Sequence, residues 1–181
     1  MRNDFYGIGL LVGAMWVIFL VNLVLPIDLN QWGLRPRSFS GLVGIPAMPF
    51  LHAGLGHLIG NTIPLVVLLV LLVGSRQRPW MAVATVVLLG GSLLWLFGRP
   101  AIHIGASGLV FGLSAFLVVV GFRERHPVAL AISVLVAVLY GGTLLVGLIP
   151  QWGSSTSWDG HLCGLIAGGI AGSMYSSRNS P

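Results

Sequence analysis

The chain has 181 residues, of which 56% are hydrophobic and only 7% are charged. A soluble domain carries roughly 25% charged residues, so a water-soluble globular protein is excluded and an integral membrane protein is implied. The net charge of +5 comes from nine arginines and no lysine; arginines in short loops between apolar spans set topology and call for no nucleic-acid partner. The single cysteine, Cys163, excludes an internal disulfide and, inside a glycine-rich apolar run, reads as small-residue packing.

Phe5 to Leu25 is apolar apart from Asn22 and long enough to cross a hydrocarbon core of roughly 30 Å. It is too long for the apolar core of a signal peptide and is followed by no small-x-small cleavage site, so it reads as a retained first span ended by Pro26. Residues 26–56 mix Asp28, Arg35, Arg37 and four prolines with apolar side chains such as Leu42, Ile45, Met48 and Phe50. Polar backbone cannot face lipid, so this stretch is expected as a structured re-entrant or interfacial loop packed on protein or at the headgroups.

Five more apolar stretches follow at 57–73, 80–97, 107–122, 128–149 and 158–175. Together with 5–25 they predict an all-α bundle of six transmembrane helices, occupying residues 1–181 as a single domain. Six spans place both termini on one side. Arg2, Arg76, Arg78, Arg123, Arg125 and Arg178 then share that side, against Arg35, Arg37 and Arg99 opposite, which puts the termini in the cytoplasm.

Polar residues inside spans are few, and in lipid each is a functional candidate. His57 and Asn61 open the second span, Ser107 the fourth and His161 the sixth. These three helices run in the same direction, so all four residues are expected at one depth near the outer face. His57 and Asn61 are four apart and share a helical face. Their N–H groups could stabilise a developing oxyanion; a helix-start cap with an interhelical hydrogen bond is the alternative. Ser107 lies in Gly105-Ala106-Ser107-Gly108, where the free N–H groups of a helix start favour negative charge. A nucleophilic serine needs a base, and His161 is the candidate; the alternative for a buried histidine is a satisfied hydrogen bond.

Asp159 is two residues from His161, and positions i and i+2 do not share a helical face. A Ser–His dyad is therefore expected, with Asp159 near the mouth as a cap. Metal binding is disfavoured, since no second histidine follows at i+3 or i+4. Gly160, Gly164, Gly168 and Gly172 recur every fourth residue in the sixth span, and Gly108 and Gly112 do so in the fourth. Small-residue stripes permit close helix contact in membranes, which could bring two short side chains together. The fourth span as read is 16 residues, about 24 Å, so Ser107 should lie below the outer surface in a protein-lined, water-containing cavity.

Taken together, the chain resembles a rhomboid intramembrane serine protease. The resemblance runs from the Pro36-Arg37 loop to the last span. It rests on Gly41-Leu42-x-Gly44-Ile45, Pro49-Phe50-Leu51-His52-Ala53, His57-Leu58-x-x-Asn61, Gly105-Ala106-Ser107-Gly108 and Gly160-His161-x-x-Gly164. It implies Ser107 as nucleophile, His161 as general base, and His57, Asn61 and the Ser107 N–H as the oxyanion hole. His52 matches a supporting histidine. Gly160 stands where alanine is frequent, and Phe111 where tyrosine often packs against the base. Gly105, Gly108 and Gly164 complete the supporting set.

The implied activity is hydrolysis of a peptide bond in or near a transmembrane segment of single-span substrates, without cofactor or metal, in a bacterial plasma membrane. Lid motion is expected of the fifth span and the loop at 150–157. A proteolytically silent relative that binds membrane clients is the alternative, and would be marked by loss of the serine or the histidine. A channel or transporter would need charged residues at the midplane, whereas the polar set lies nearer one surface.

Overall fold

The computed structural model describes residues 2–76, 78–150 and 156–176. Among these the helices are α1 (Arg2–Val24), α2 (Gly44–Ala47), α3 (Leu55–Ser75), α4 (Pro79–Phe97), α5 (Ser107–Glu124), α6 (Pro127–Gly147) and α7 (Trp158–Tyr175), with no β-strand. The chain is an all-α membrane protein. α1, α3, α4, α5 and α6 are long and apolar enough to cross a bilayer. α7 matches α5 in length at 18 residues, but five glycines, Asp159 and His161 dilute its apolar character. Its place in the bundle comes from packing rather than from hydropathy.

The helix ends follow local chemistry. Pro79 and Pro127 open α4 and α6, where a missing N–H costs nothing. α5 continues past the apolar stretch through Arg123 and Glu124 until Arg125 closes it in the left-handed conformation (φ 52°). At 18 residues α5 is about 27 Å long, one half-turn more than the apolar run alone suggests. Glu124 is buried and accepts two hydrogen bonds from Arg76, at 2.7 and 2.9 Å, tying the ends of α3 and α5 together.

α5 is the central helix and packs against α7, α6, α4 and α3. Its buried side chains, among them Leu109, Phe111, Leu113, Phe116 and Leu117, point to every side. Against α7 the two backbones touch. A Cβ on Gly164 would collide with the Gly108 carbonyl oxygen, and one on Gly168 with that of Gly112. Gly160 departs from the simple stripe: its missing side chain faces Ser157 and Leu94, and only its carbonyl oxygen approaches Gly108.

α6 is held differently. Its buried residues are Ala129, Ser133 and Val136, all in the half near Pro127. There Gly121 of α5 lets Ser133 and Ala129 close in, and Ser133 Oγ donates to the Val118 carbonyl at 3.2 Å. From Ala137 to Gly147 no α6 residue is buried.

The segment between α1 and α3 is ordered by short 3-10 turns and α2. It packs on protein. Arg37 donates to the Leu96 and Gly98 carbonyls at 3.1 and 2.9 Å, capping the end of α4, while Trp95 Nε1 donates to the Ser38 carbonyl at 2.9 Å. Leu34 and His103 exchange backbone hydrogen bonds at 3.0 and 2.8 Å, and the Gly105 N–H donates to the Met48 carbonyl at 2.8 Å. The loop thereby braces the segment that leads into Ser107.

Candidate active site

Ser107 is the first residue of α5 and is half-buried. The chain enters it through Gly105, whose φ of +108° is a conformation that side chains disfavour. Gly105 is doubly constrained, because a Cβ there would lie 2.6 Å from His57 Nε2 and 3.7 Å from Asn61 Nδ2. His57 and Asn61, one turn apart on α3, are thus pressed against the backbone two residues before Ser107. Asn61 Nδ2 donates to the His57 carbonyl at 2.8 Å; an amide has two N–H donors, so one is left for the cavity.

His161, on the second turn of α7, brings its Nε2 to 3.0 Å from Ser107 Oγ. Its Nδ1 lies 2.8 Å from the Gly147 carbonyl oxygen at the end of α6. A carbonyl can only accept, so Nδ1 carries the proton and Nε2 presents its lone pair to the Ser107 hydroxyl. Phe111, one turn along α5 from Ser107, stacks on the imidazole with centroids 4.0 Å apart and planes 11° apart. The ring is therefore fixed on one face by Phe111, at one nitrogen by Gly147 and at the other by Ser107.

These groups face one cavity of about 780 Å³, lined by His57, Asn61, Ser107, Phe111 and His161 together with the unburied half of α6. Tyr140, Thr143 and Gly147 supply the α6 wall, and Gly60 and Pro64 the α3 wall. Pro64 has no N–H, so the Gly60 carbonyl lacks its helical partner. The cavity therefore offers polar groups at several points along an otherwise apolar lining. Among the described residues no three His, Cys, Asp or Glu side chains converge as a metal site.

His52 sits behind His57 with ring centroids 5.0 Å apart. It is buried, and neither ring nitrogen makes a hydrogen bond of ordinary geometry. Burial, followed by the neighbouring His57, pushes its pKa down to about 4, partly offset by the nearby Phe50 backbone. It stays neutral and acts as packing behind the α3 wall.

A family model for the rhomboid domain matches residues 40–178. The chain belongs to the rhomboid family. Proteins of Mycobacterium bovis and Mycobacterium tuberculosis, each described as uncharacterized, are 40% identical to this rhomboid over 176 residues, covering 92% of this chain and 72% of theirs. An uncharacterized protein of Mycobacterium leprae is 40% identical over the same length, covering 92% of this chain and 69% of its own. This rhomboid is an integral membrane protein of a family of intramembrane proteases.

Two features escape a reading of side-chain types. The Gly147 carbonyl is a backbone acceptor that any residue would supply. Its glycine carries the signal instead, since a Cβ there would strike Phe111 and approach His161 Nδ1 to 3.1 Å. Asp159 is not the cap of α7. Ser157 is, its hydroxyl accepting from the Gly160 N–H at 3.3 Å, while Asp159 turns away from His161 toward Arg99. Of the loop expected to act as a lid, residues 151–155 lie outside the described residues, as does Arg178.

Proposed function

We propose that this rhomboid is an active serine endopeptidase that cleaves single-span membrane proteins in or near their transmembrane segment, working as a single transmembrane domain. The observation that carries the reading is the Ser107 Oγ to His161 Nε2 distance of 3.0 Å, with Nδ1 anchored on Gly147. Ser107 Oγ attacks the scissile carbonyl as His161 Nε2 takes its proton; the imidazolium then gives that proton to the leaving amine. The acyl-enzyme is hydrolysed by water, with His161 again the base.

The oxyanion forms at the start of α5, where the Ser107 N–H, His57 and the free Asn61 N–H are the available donors. No acidic third member is needed, because Gly147 sets the tautomer. No cofactor enters this mechanism. The reaction requires water below the membrane surface; Asn61, Tyr140, Thr143 and the Gly60 carbonyl give it a polar path along the cavity.

The arginine distribution supports cytoplasmic termini and a site near the outer face of a bacterial plasma membrane. Treatment of the detergent-purified protein with a fluorophosphonate probe tests the dyad. Wild type should label, while Ser107→Ala and His161→Ala should not. Absence of labelling in folded wild type would favour the silent, client-binding alternative.

A further inference from the structure

We infer that Asp159 is a positioning residue that clamps the base-bearing helix to the loop leading into the nucleophile; this rests on the dyad reading above. Its carboxylate is buried and joins two segments 60 residues apart. Oδ2 accepts the Arg99 backbone N–H at 2.8 Å, and Oδ1 accepts Arg99 Nη2 at 3.2 Å and the Ser157 hydroxyl at 3.1 Å. The loop answers in kind. Arg99 Nη2 also donates to the Thr156 carbonyl at 3.1 Å, and its guanidinium lies 5.5 Å from the centroid of the Trp158 ring. His103, buried, donates from Nε2 to the Arg99 carbonyl at 3.1 Å and places Nδ1 2.7 Å from Ser157 Oγ.

These side-chain contacts run within the loop 99–103, within residues 156–159 at the start of α7, or between the two, while the His103 backbone pairs with Leu34. The cluster stands two residues before His161 on one side and two residues before Gly105 on the other. A base and a nucleophile that must meet at 3.0 Å are carried by separate segments, and the glycine contacts between α5 and α7 reach only as far as Gly108, one residue past Ser107. Asp159 closes that end. Asp159 itself does not line the cavity, whereas its partners Arg99, His103, Thr156 and Ser157 do. It also makes no hydrogen bond to His161, which separates it from the aspartate of a triad.

The test uses the full chain in proteoliposomes with a single-span substrate, comparing wild type, Asp159→Asn and Asp159→Ala. Loss of the clamp should lower kcat on the order of 10- to 100-fold, since small misplacements of reacting groups have that cost, while KM should move much less, because Asp159 itself does not line the cavity, although its partners Arg99, His103, Thr156 and Ser157 do. Asp159→Asn keeps one acceptor for the Arg99 N–H and should fall between the other two.

Independently of turnover, ¹⁵N NMR of the histidine imidazoles should show the single Nδ1–H form of His161 in wild type and a mixture of tautomers in Asp159→Ala. Unchanged kcat together with an unchanged His161 spectrum in both variants would overturn the clamp. A change in KM alone would also overturn it, assigning Asp159 to substrate binding. If wild type neither labels nor cleaves, the dyad reading fails, and with it the purpose of the clamp; the NMR comparison still reports whether Asp159 orders the ring.

Discussion

The two neighbours of α5 meet it in opposite ways. Against α7 it is backbone to backbone, with carbonyl oxygens filling the space where side chains would stand. Against α6 the buried contacts lie in the half near Pro127; the half of α6 beside the site has no buried residue and meets α5 where Gly147 faces Phe111. The groups that must hold a fixed distance, Ser107 and His161, are divided between the tight pair. The groups that shape the cavity, Tyr140, Thr143 and Gly147, stand on the loose helix. On the proposed mechanism, rigidity is placed where the bond would be broken, and looseness where a bulky chain would enter. Because Gly147 also orients His161, the loose helix must be in place for the base to be set.

The sharpest way to break the contrast is to thicken the tight face. Gly168→Leu would drive a side chain into the Gly112 carbonyl; overpacking by a side chain that cannot rotate away should cost more than about 3 kcal/mol. The expected outcome is loss of the monodisperse folded species on size-exclusion chromatography. Asn61→Ala leaves the α5–α7 contact alone but removes a proposed oxyanion donor, and kcat should fall by about 10²–10³ with KM nearly constant, read by steady-state cleavage.

His52 gives a smaller, pH-dependent effect on the buried wall behind His57. Folding holds its pKa at about 4 against 6.5 in the unfolded chain. The unfolded state therefore binds the proton first, and stability falls as pH drops from 6.5 toward 4, by at most about 3 kcal/mol. Thermal melts across that range should show the slope in wild type and a flatter line in His52→Gln. Smallest of all, Val138→Ala on the exposed face of α6 should shift stability by less than about 0.5 kcal/mol. A large loss there would mean that α6 is gripped as firmly as α7.

Much of this was legible in the sequence because membrane helices announce themselves by length and apolarity, and because an embedded polar residue is conspicuous. Ser107, His57, Asn61 and His161 each open an apolar stretch running in the same direction, which already implies a shared depth. Glycines spaced by four announced the contact between α5 and α7, although the Gly160 carbonyl, rather than its missing side chain, faces Gly108.

What was hidden shares one cause: pairing between distant segments through groups that carry no type signal. The Gly147 carbonyl is backbone. Arg99, His103 and Asp159 are ordinary loop and helix-start residues until the fold brings positions 60 apart within hydrogen-bond reach. Helical geometry separated Asp159 from His161 correctly but could not say where its carboxylate would turn.

The most direct test of the account is cleavage itself. Purified wild type and Ser107→Ala would be reconstituted with a panel of single-span membrane proteins bearing small residues near the outer end of the span, and products mapped by mass spectrometry. A cut in or near the transmembrane segment, toward the outer face, is expected from wild type and should be absent with Ser107→Ala. Equal cleavage by both proteins would contradict the assignment of Ser107 as the nucleophile.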